Sequence, residues 1–135
     1  MRRSADLMQL LTRAERLMAQ RVSVVLSGHG IGLDAWRVIT LLAGGSGVSM
    51  SSLSADAFLP PPSLTRLIDQ LVDDNLVYRR VDDVDRRRIL AYLTPRGRRL
   101  HAGISADLSD LPEDPLLSER LASLIEGLSV TRVTL

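Results

Sequence analysis

The chain of 135 residues is 45% hydrophobic and 24% charged with a net charge of +1, which suits one domain and neither favours nor excludes nucleic acid. It has no cysteine and two histidines, which excludes disulfides and cysteine nucleophiles and argues against a metal site or a cofactor. No apolar run reaches the ~20 residues of a membrane span, and no secretory signal is recognisable, so a cytoplasmic location without membrane contact is expected.

Apolar residues at helical spacing predict a long first helix over residues 5–27. Ser4 is a candidate N-cap, and Gly28 is of the residue type at which helices commonly end. The helix carries one apolar stripe, which predicts that this face is buried. The stripe comprises Leu7, Leu11, Ala14, Met18, Val22 and Val25.

Three more helices are predicted in the first half of the chain, the first two over residues 34–43 and 49–57. The fourth starts at Pro61 or Pro62, because proline is tolerated in the first turn of a helix, and runs to about Asp74. Its apolar residues at i, i+3, i+4 and i+7 form an inward face. They are Leu64, Leu67, Ile68 and Leu71.

The hydrophobic pattern then changes to the period of a β-strand. Residues 76–81 and 89–93 alternate and contain β-branched and aromatic residues, which predicts a hairpin with the charged segment 82–88 at its tip. Two more helices are predicted after the hairpin, one capped by Thr94 and the other by Asp114.

This order of elements predicts a mainly α-helical fold with a small two-stranded β-wing. A winged helix-turn-helix is expected over residues 31–98, flanked by helical segments 1–30 and 99–135, all within one structural domain. The terminal segments carry apolar stripes outside the winged-helix core, so these stripes either pack on each other within one chain or form a homodimer interface, an alternative that the residues alone leave open. The expected dimerisation residues are Leu7, Leu11, Met18, Leu117, Leu121, Leu124 and Leu128.

Charge is unevenly distributed along the chain. Residues 60–101 contain nine arginines and six aspartates, whereas residues 102–131 contain one arginine and six acidic residues. The basic middle coincides with the predicted helix-turn-helix and wing, which favours binding to double-stranded DNA. The acidic region and the small net charge keep an alternative open, in which the chain is a winged-helix protein–protein interaction module without specific DNA binding.

DNA binding would use the outward face of the fourth helix and the tip of the hairpin. The major groove of B-DNA admits one helix, whose N-terminus also offers backbone N–H groups to phosphates. Arg66 points outward and can contact DNA, or it can pair with Asp69 one turn later. The three arginines of the tip are either neutralised by nearby aspartates or directed at DNA. The predicted DNA-binding residues are Pro62, Ser63, Thr65, Arg66, Gln70, Asp85, Arg86, Arg87 and Arg88.

Residues 53–100 resemble the winged helix-turn-helix of the MarR family of bacterial transcription regulators. The resemblance rests on residues 59–71, on residues 75–80, on the wing at 82–88 and on the Leu-Thr-Pro-Arg-Gly exit at 93–97. It implies a homodimeric regulator, most often a repressor, that binds a palindromic operator and has no enzymatic activity.

The resemblance also implies roles for individual residues of the wing, and two residues of the chain differ from the family pattern. Arg86 and Arg87 would lie near the minor groove, with Asp85 orienting one wing arginine. Ser54 and Phe58 stand where the family usually has alanine and glycine, and Phe58 either distorts the turn or fills a neighbouring gap.

Members of the family often bind small aromatic or anionic effectors. A pocket for such a molecule could include Arg16, Met18, His29 and Trp36, although for Trp36 the sequence favours a core position.

Overall fold

The computed structural model describes residues 2–130 and contains the predicted helices and hairpin in the predicted order. The mainly α-helical winged-helix fold is therefore confirmed. The helices are α1 (Arg2–Ser27), α2 (Leu33–Leu42), α3 (Met50–Ala57), α4 (Pro61–Asp73), α5 (Pro95–Ser109) and α6 (Leu116–Val130). The strands are β1 (Val48–Ser49), β2 (Val77–Val81) and β3 (Ile89–Leu93).

The main core forms where the apolar faces of α2, α3 and α4 meet one side of the sheet. The predicted inward face of α4 is confirmed, because Leu64, Ile68 and Leu71 are buried and Leu67 packs partly buried against them. Burial of aliphatic side chains stabilises the fold by ~25 cal/mol per Å² of apolar surface. The position of α4 is therefore set by its inner face, which leaves its outer face to solvent.

The sheet has three strands rather than the predicted two. β1 pairs with β3 in antiparallel register, Val48 opposite Ala91, so β3 lies between β1 and β2. A two-residue strand is too short to show alternation, which is why the sequence pattern did not indicate it. Gly47 precedes it at φ 76°, and a Cβ there would come within 2.5 Å of the Tyr92 ring, so this position requires glycine.

Capping explains where several helices begin. Ser49 caps α3 by accepting a hydrogen bond from the Ser52 N–H, and Thr94 caps α5 by accepting one from the Gly97 N–H at 3.0 Å, as predicted for Thr94. The predicted cap at Ser4 is wrong, because α1 already includes Ser4 and extends back to Arg2.

The turn between α3 and α4 is intact despite its unusual residues. Phe58 adopts a left-handed conformation with φ 55°, which is the conformation that favours glycine. The Ser54 hydroxyl donates a hydrogen bond to the Leu59 carbonyl across the turn. Phe58 therefore does not distort the turn, and its side chain is 89% exposed.

A smaller core joins α1 to α5. It consists of Val22, Leu26 and Ile104, and the partly buried Trp36 packs against it and against the main core. Leu26 is 1% exposed although it lies outside the predicted stripe. None of the helices within residues 2–130 has both the length and the apolar character needed to cross a bilayer.

Candidate nucleic-acid interface

The outer face of α4 presents Arg66 to solvent. The buried positions Leu64 and Ile68 fix the rotation of the helix, so Arg66 is exposed between them on the opposite side. Its guanidinium makes no hydrogen bond and no ion pair within the described part of the chain. A cation without a partner on a rigid helix is available to a base edge or a phosphate.

The alternative pairing of Arg66 with Asp69 is wrong. Asp69 instead accepts a hydrogen bond at 2.7 Å from Nη2 of Arg79, a residue of β2. This ion pair joins α4 to β2 and occupies the one carboxylate within reach of Arg66 by helical spacing. The structure therefore leaves the positive charge of Arg66 unbalanced locally.

The other predicted residues of α4 differ in their exposure and in whether their side chains already donate hydrogen bonds. The Thr65 hydroxyl donates a hydrogen bond to the Pro61 carbonyl at 2.9 Å, and the Gln70 amide donates to the Asp74 carboxylate at 3.3 Å. Ser63 is half-buried, and Pro62 is exposed. Thr65 and Gln70 can still accept hydrogen bonds from a ligand, but their donor groups are engaged.

The two prolines limit what the N-terminus of α4 can offer to a phosphate. Pro61 and Pro62 occupy the first two helical positions and carry no N–H, so Ser63 supplies the first free backbone donor. The expectation that several backbone N–H groups serve phosphates here therefore needs correction. Apart from the Ser63 N–H, the hydrogen-bond donors that this part of α4 offers to a ligand are side chains such as Arg66.

The three adjacent arginines at the tip of the wing differ in their contacts. Asp85 accepts hydrogen bonds from Nε and from the backbone N–H of Arg87, each at 3.1 Å. Arg88 lies 3.9 Å from the Asp82 carboxylate. Arg86 makes no ion pair or side-chain hydrogen bond with any residue the structure describes, so it is the free cation of the tip.

The charge of Asp85 is stabilised by its partner. The hydrogen bond from the Arg87 side chain, and after it the one from the Arg87 backbone N–H, lower the pKa of the Asp85 carboxyl below its ordinary value. Asp85 therefore stays ionised at neutral pH and holds Arg87 in place. Asp82 reinforces the loop because its backbone N–H donates to the Arg88 carbonyl at 2.9 Å.

Arg79 is a candidate site residue that the sequence patterns did not reveal. It is separated from Asp69 by ten residues and lies on a different element, so no helical or strand spacing relates the two. A charged residue in the middle of the strand that follows α4 was the one available signal, and by itself it does not identify a partner.

The terminal helices expose much apolar surface in a single chain. Met8 is 71% exposed, and Leu117, Leu121 and Leu128 are each about half exposed. Among the other predicted interface residues Met18 is also exposed, whereas Leu7, Leu11 and Leu124 are partly buried. Surface of this kind is typical of a protein–protein interface.

The predicted effector residues fall in two places. Met18 and Trp36 line a cavity of about 730 Å³ formed by α1, α2 and α6, together with Phe58 and Leu121. Arg16 does not line this cavity.

His29 lies in a different cavity, and its Nε2 is 2.6 Å from the Asp107 carboxylate on α5. Trp36 also stacks on His101 of α5 with ring centroids 5.3 Å apart, and it is both a core and a cavity residue. Within residues 2–130 no cluster of three or more histidines or carboxylates could hold a metal ion.

Comparison with known proteins agrees with this geometry. A family model described as MarR family matches residues 29–88, which contain α2, the helix-turn-helix and most of the wing. The HTH-type transcriptional regulator FarR of Neisseria gonorrhoeae is 31% identical over 101 residues, covering 75% of this chain and 68% of FarR.

Two solved structures extend the likeness to the terminal helices. NadR in complex with 4-hydroxyphenylacetate is 28% identical with a TM-score of 0.77, over 88% of this chain and 86% of NadR. Reduced AbfR bound to DNA is 23% identical with a TM-score of 0.78, over 96% of this chain and 91% of AbfR. The similarity to AbfR, at 23% identity, shows a shared fold.

Proposed function

Because this chain belongs to the MarR family of transcription regulators, we propose that it is a homodimeric repressor that binds a specific palindromic operator in the cytoplasm. One observation carries the proposal. Arg66 on α4 and Arg86 at the wing tip are free cations, while Asp69 and Asp85 are engaged with Arg79 and Arg87.

The recognition helix α4 would enter the major groove, with Arg66 donating to the edge of a guanine or to a phosphate. Ser63 would add the first free backbone N–H of the helix. Arg86 would reach the adjacent minor groove, where a narrow A·T tract concentrates negative potential. Asp85 and Arg87 would act as positioning residues that hold the loop under Arg86.

The exposed apolar faces of α1 and α6 support a homodimer. An obligate dimer buries ~2,000 Å² or more. The exposed leucines and methionines of α1 and the exposed leucines of α6 would contribute to such an interface. A two-fold axis would then place two copies of α4 on half-sites ~34–36 Å apart. The segments 1–30 and 99–135 would thus carry dimerisation, and residues 31–98 would carry DNA binding.

The cavity between α1, α2 and α6 is our candidate for an effector site. Met18, Trp36 and Phe58 line it with apolar surface, and its charged lining residues are Arg37 and Glu15, which pair at 3.0 Å. The solved NadR complex contains 4-hydroxyphenylacetate, which is an aromatic anion. We propose that a small aromatic or anionic molecule binds here and releases the operator.

The test is a fluorescence anisotropy titration of the chain with labelled duplexes from its own upstream region, at several salt concentrations. We expect Arg66→Ala to weaken operator binding by ~1–3 kcal/mol and to relax specificity at one base pair. Arg21→Ala is the matched control, because Arg21 is an exposed arginine of α1 outside the winged helix.

If wild-type chain is monomeric by sedimentation and binds no upstream duplex in a salt-dependent manner, the regulator proposal fails. The winged-helix protein–protein interaction module would then replace it.

A further inference from the structure

Phe58, in the turn between α3 and α4, combines an exposed aromatic ring with a strained backbone. Its φ of 55° lies in the left-handed region, where a bulky side chain is an outlier. The ring is 89% exposed, so contacts within the described part of the chain do not offset this strain. Strained conformations of this kind cluster at functional sites, which indicates a role for Phe58 that glycine would not fill.

The surface around Phe58 is apolar and balanced in charge. Phe58 lines the cavity between α1, α2 and α6, and its exposure places the ring at the mouth of that cavity. Helix α6 contributes Leu121 and Ile125, which are each about half exposed. The charged lining residues, Glu15 and Arg37, form an ion pair at 3.0 Å. The mouth therefore offers a surface that apolar side chains can cover without leaving a charge unpaired.

Helix α1 carries a second apolar stripe that its own chain leaves uncovered. Leu10, Leu17 and Val24 follow one another at intervals of seven residues, and all three are more than half exposed. Seven residues bring a helical side chain back to within about 20° of the same direction, so the three form one stripe ~21 Å long. None of them lines the cavity at Phe58, so the stripe is free to contact a different molecule.

A two-fold axis can bring the cavity mouth and the α1 stripe together. In a symmetric dimer every contact occurs twice, so a chain that carries two complementary apolar surfaces can cover both by pairing with a copy of itself. The mouth and the stripe both adjoin the terminal helices whose apolar faces support the proposed homodimer. An aromatic side chain buries ~150–250 Å², and two copies of Phe58 would add that area twice to the ~2,000 Å² of an obligate interface.

We propose that the ring of Phe58 packs against the outer stripe of α1 in a second copy of the chain. The inference rests on the proposed homodimer and adds a contact from the partner subunit to the helix-turn-helix itself. Two residues, Leu59 and Pro60, separate Phe58 from the start of α4, so the contact would fix α4 relative to the two-fold axis. Phe58 is thus a positioning residue that does not touch DNA. A partner helix over the cavity mouth would enclose a bound effector rather than displace it.

The first experiment uses the fact that the chain contains a single phenylalanine. Incorporation of 4-fluorophenylalanine places one fluorine at Phe58 without any substitution, and the change in its chemical shift between H₂O and D₂O measures exposure of the ring. We expect a change in the dimer well below that of free 4-fluorophenylalanine, although the ring is 89% exposed in one chain. Sedimentation velocity at the same concentration establishes that the sample is dimeric.

A photo-cross-link identifies what covers the ring. With p-benzoylphenylalanine in place of Phe58, irradiation of a mixed ¹⁴N and ¹⁵N dimer should join two chains, and mass spectrometry should map the bond to the partner's α1. The same group in place of Val84, an exposed residue of the wing tip, is the matched control and should give no cross-linked dimer.

Phe58→Gly separates a contact with the partner from a merely structural role. We expect its dimer dissociation constant to rise at least about tenfold, because two rings leave the interface. Val84→Gly should change that constant by less than about twofold. In a monomeric Leu121→Asp background, Phe58→Gly should not lower Tm, since glycine adopts the left-handed conformation without strain.

Three results would overturn the inference. They are a fluorine as exposed in the dimer as in the free amino acid, a cross-link that maps outside the partner's α1, and an unchanged dissociation constant in Phe58→Gly. Each of them would leave the homodimer itself intact. A chain that stays monomeric at all concentrations would instead remove the homodimer and this contact together, so the two failures are distinguishable.

Discussion

The pairing of Asp69 with Arg79, rather than with Arg66, can be measured as a coupling free energy. The Arg79 Nη2 is 2.7 Å from the Asp69 carboxylate, and the two side chains are one-third to one-half exposed. An exposed ion pair of good geometry contributes roughly 0.2–1 kcal/mol to the free energy of unfolding. We therefore expect a double-mutant cycle of Asp69→Asn and Arg79→Gln to give a coupling in that range.

The matched cycle combines Asp69→Asn with Arg66→Gln and should give a coupling near zero, because the structure shows no contact between these side chains. Both cycles are measured by urea unfolding at one fixed protein concentration, since dimerisation would make stability depend on concentration. A larger coupling for the cycle with Arg66 than for the cycle with Arg79 would refute the assignment. It would also remove the argument that Arg66 is free for DNA.

Three further predictions follow from local geometry. Gly97→Ala should destabilise the fold by ~1–3 kcal/mol, because a Cβ at this buried position overlaps the Leu76 carbonyl oxygen. The pKa of Asp85 is lowered by Arg87, so the stabilisation from this pair should be present above the ordinary Asp pKa and be lost as pH falls through the lowered value. NMR titration of the Arg87 amide measures that loss. Leu121→Asp should dissociate the proposed homodimer, as measured by sedimentation velocity, since Leu121 lies half exposed in the apolar face of α6.

Each of these predictions has a control and a contradicting result. Gly44→Ala has open space around its Cβ and should change stability by less than about 0.5 kcal/mol, so equal losses at positions 44 and 97 would argue against the close approach. Arg120→Gln is the charge control beside Leu121, and a Leu121→Asp variant that stays dimeric would exclude α6 from the interface. An Arg87 amide that titrates at the ordinary Asp pKa would contradict the wing pairing.

Helices α2, α3 and α4 were predictable because each buries one face against neighbours, and burial imposes the 3.6-residue period on the sequence. The α4 face shows this most clearly, since Leu64 and Ile68 are both fully buried. Short-range rules also predicted Thr94 as a cap. They failed at β1, where two residues carry no measurable period, and at Ser4, where a cap residue type lies inside a helix.

The candidate site was predictable as a set of residues but not as a set of contacts. Asp85 and Arg87 are two residues apart, so their pairing follows from local geometry. The contact of Asp69 with Arg79 depends on how β2 folds back beside α4, and no local pattern contains that information. The same reason separates His29 from Trp36, which seemed close along the sequence but line different cavities.

The net charge of +1 neither favours nor excludes DNA binding, and the contacts explain why this total is uninformative. Asp69 and Asp85 each hold one arginine in place, which lowers the total charge without covering the surface that faces outward. Arg66 and Arg86 stay unpaired on that surface. The electrostatic attraction to phosphates depends on the cations that reach the backbone, not on the sum over the chain. Arg86→Ala should therefore lower the slope of log K against log salt by about one unit, whereas Arg21→Ala should leave it unchanged, and equal slopes for both variants would show that Arg86 does not contact a phosphate.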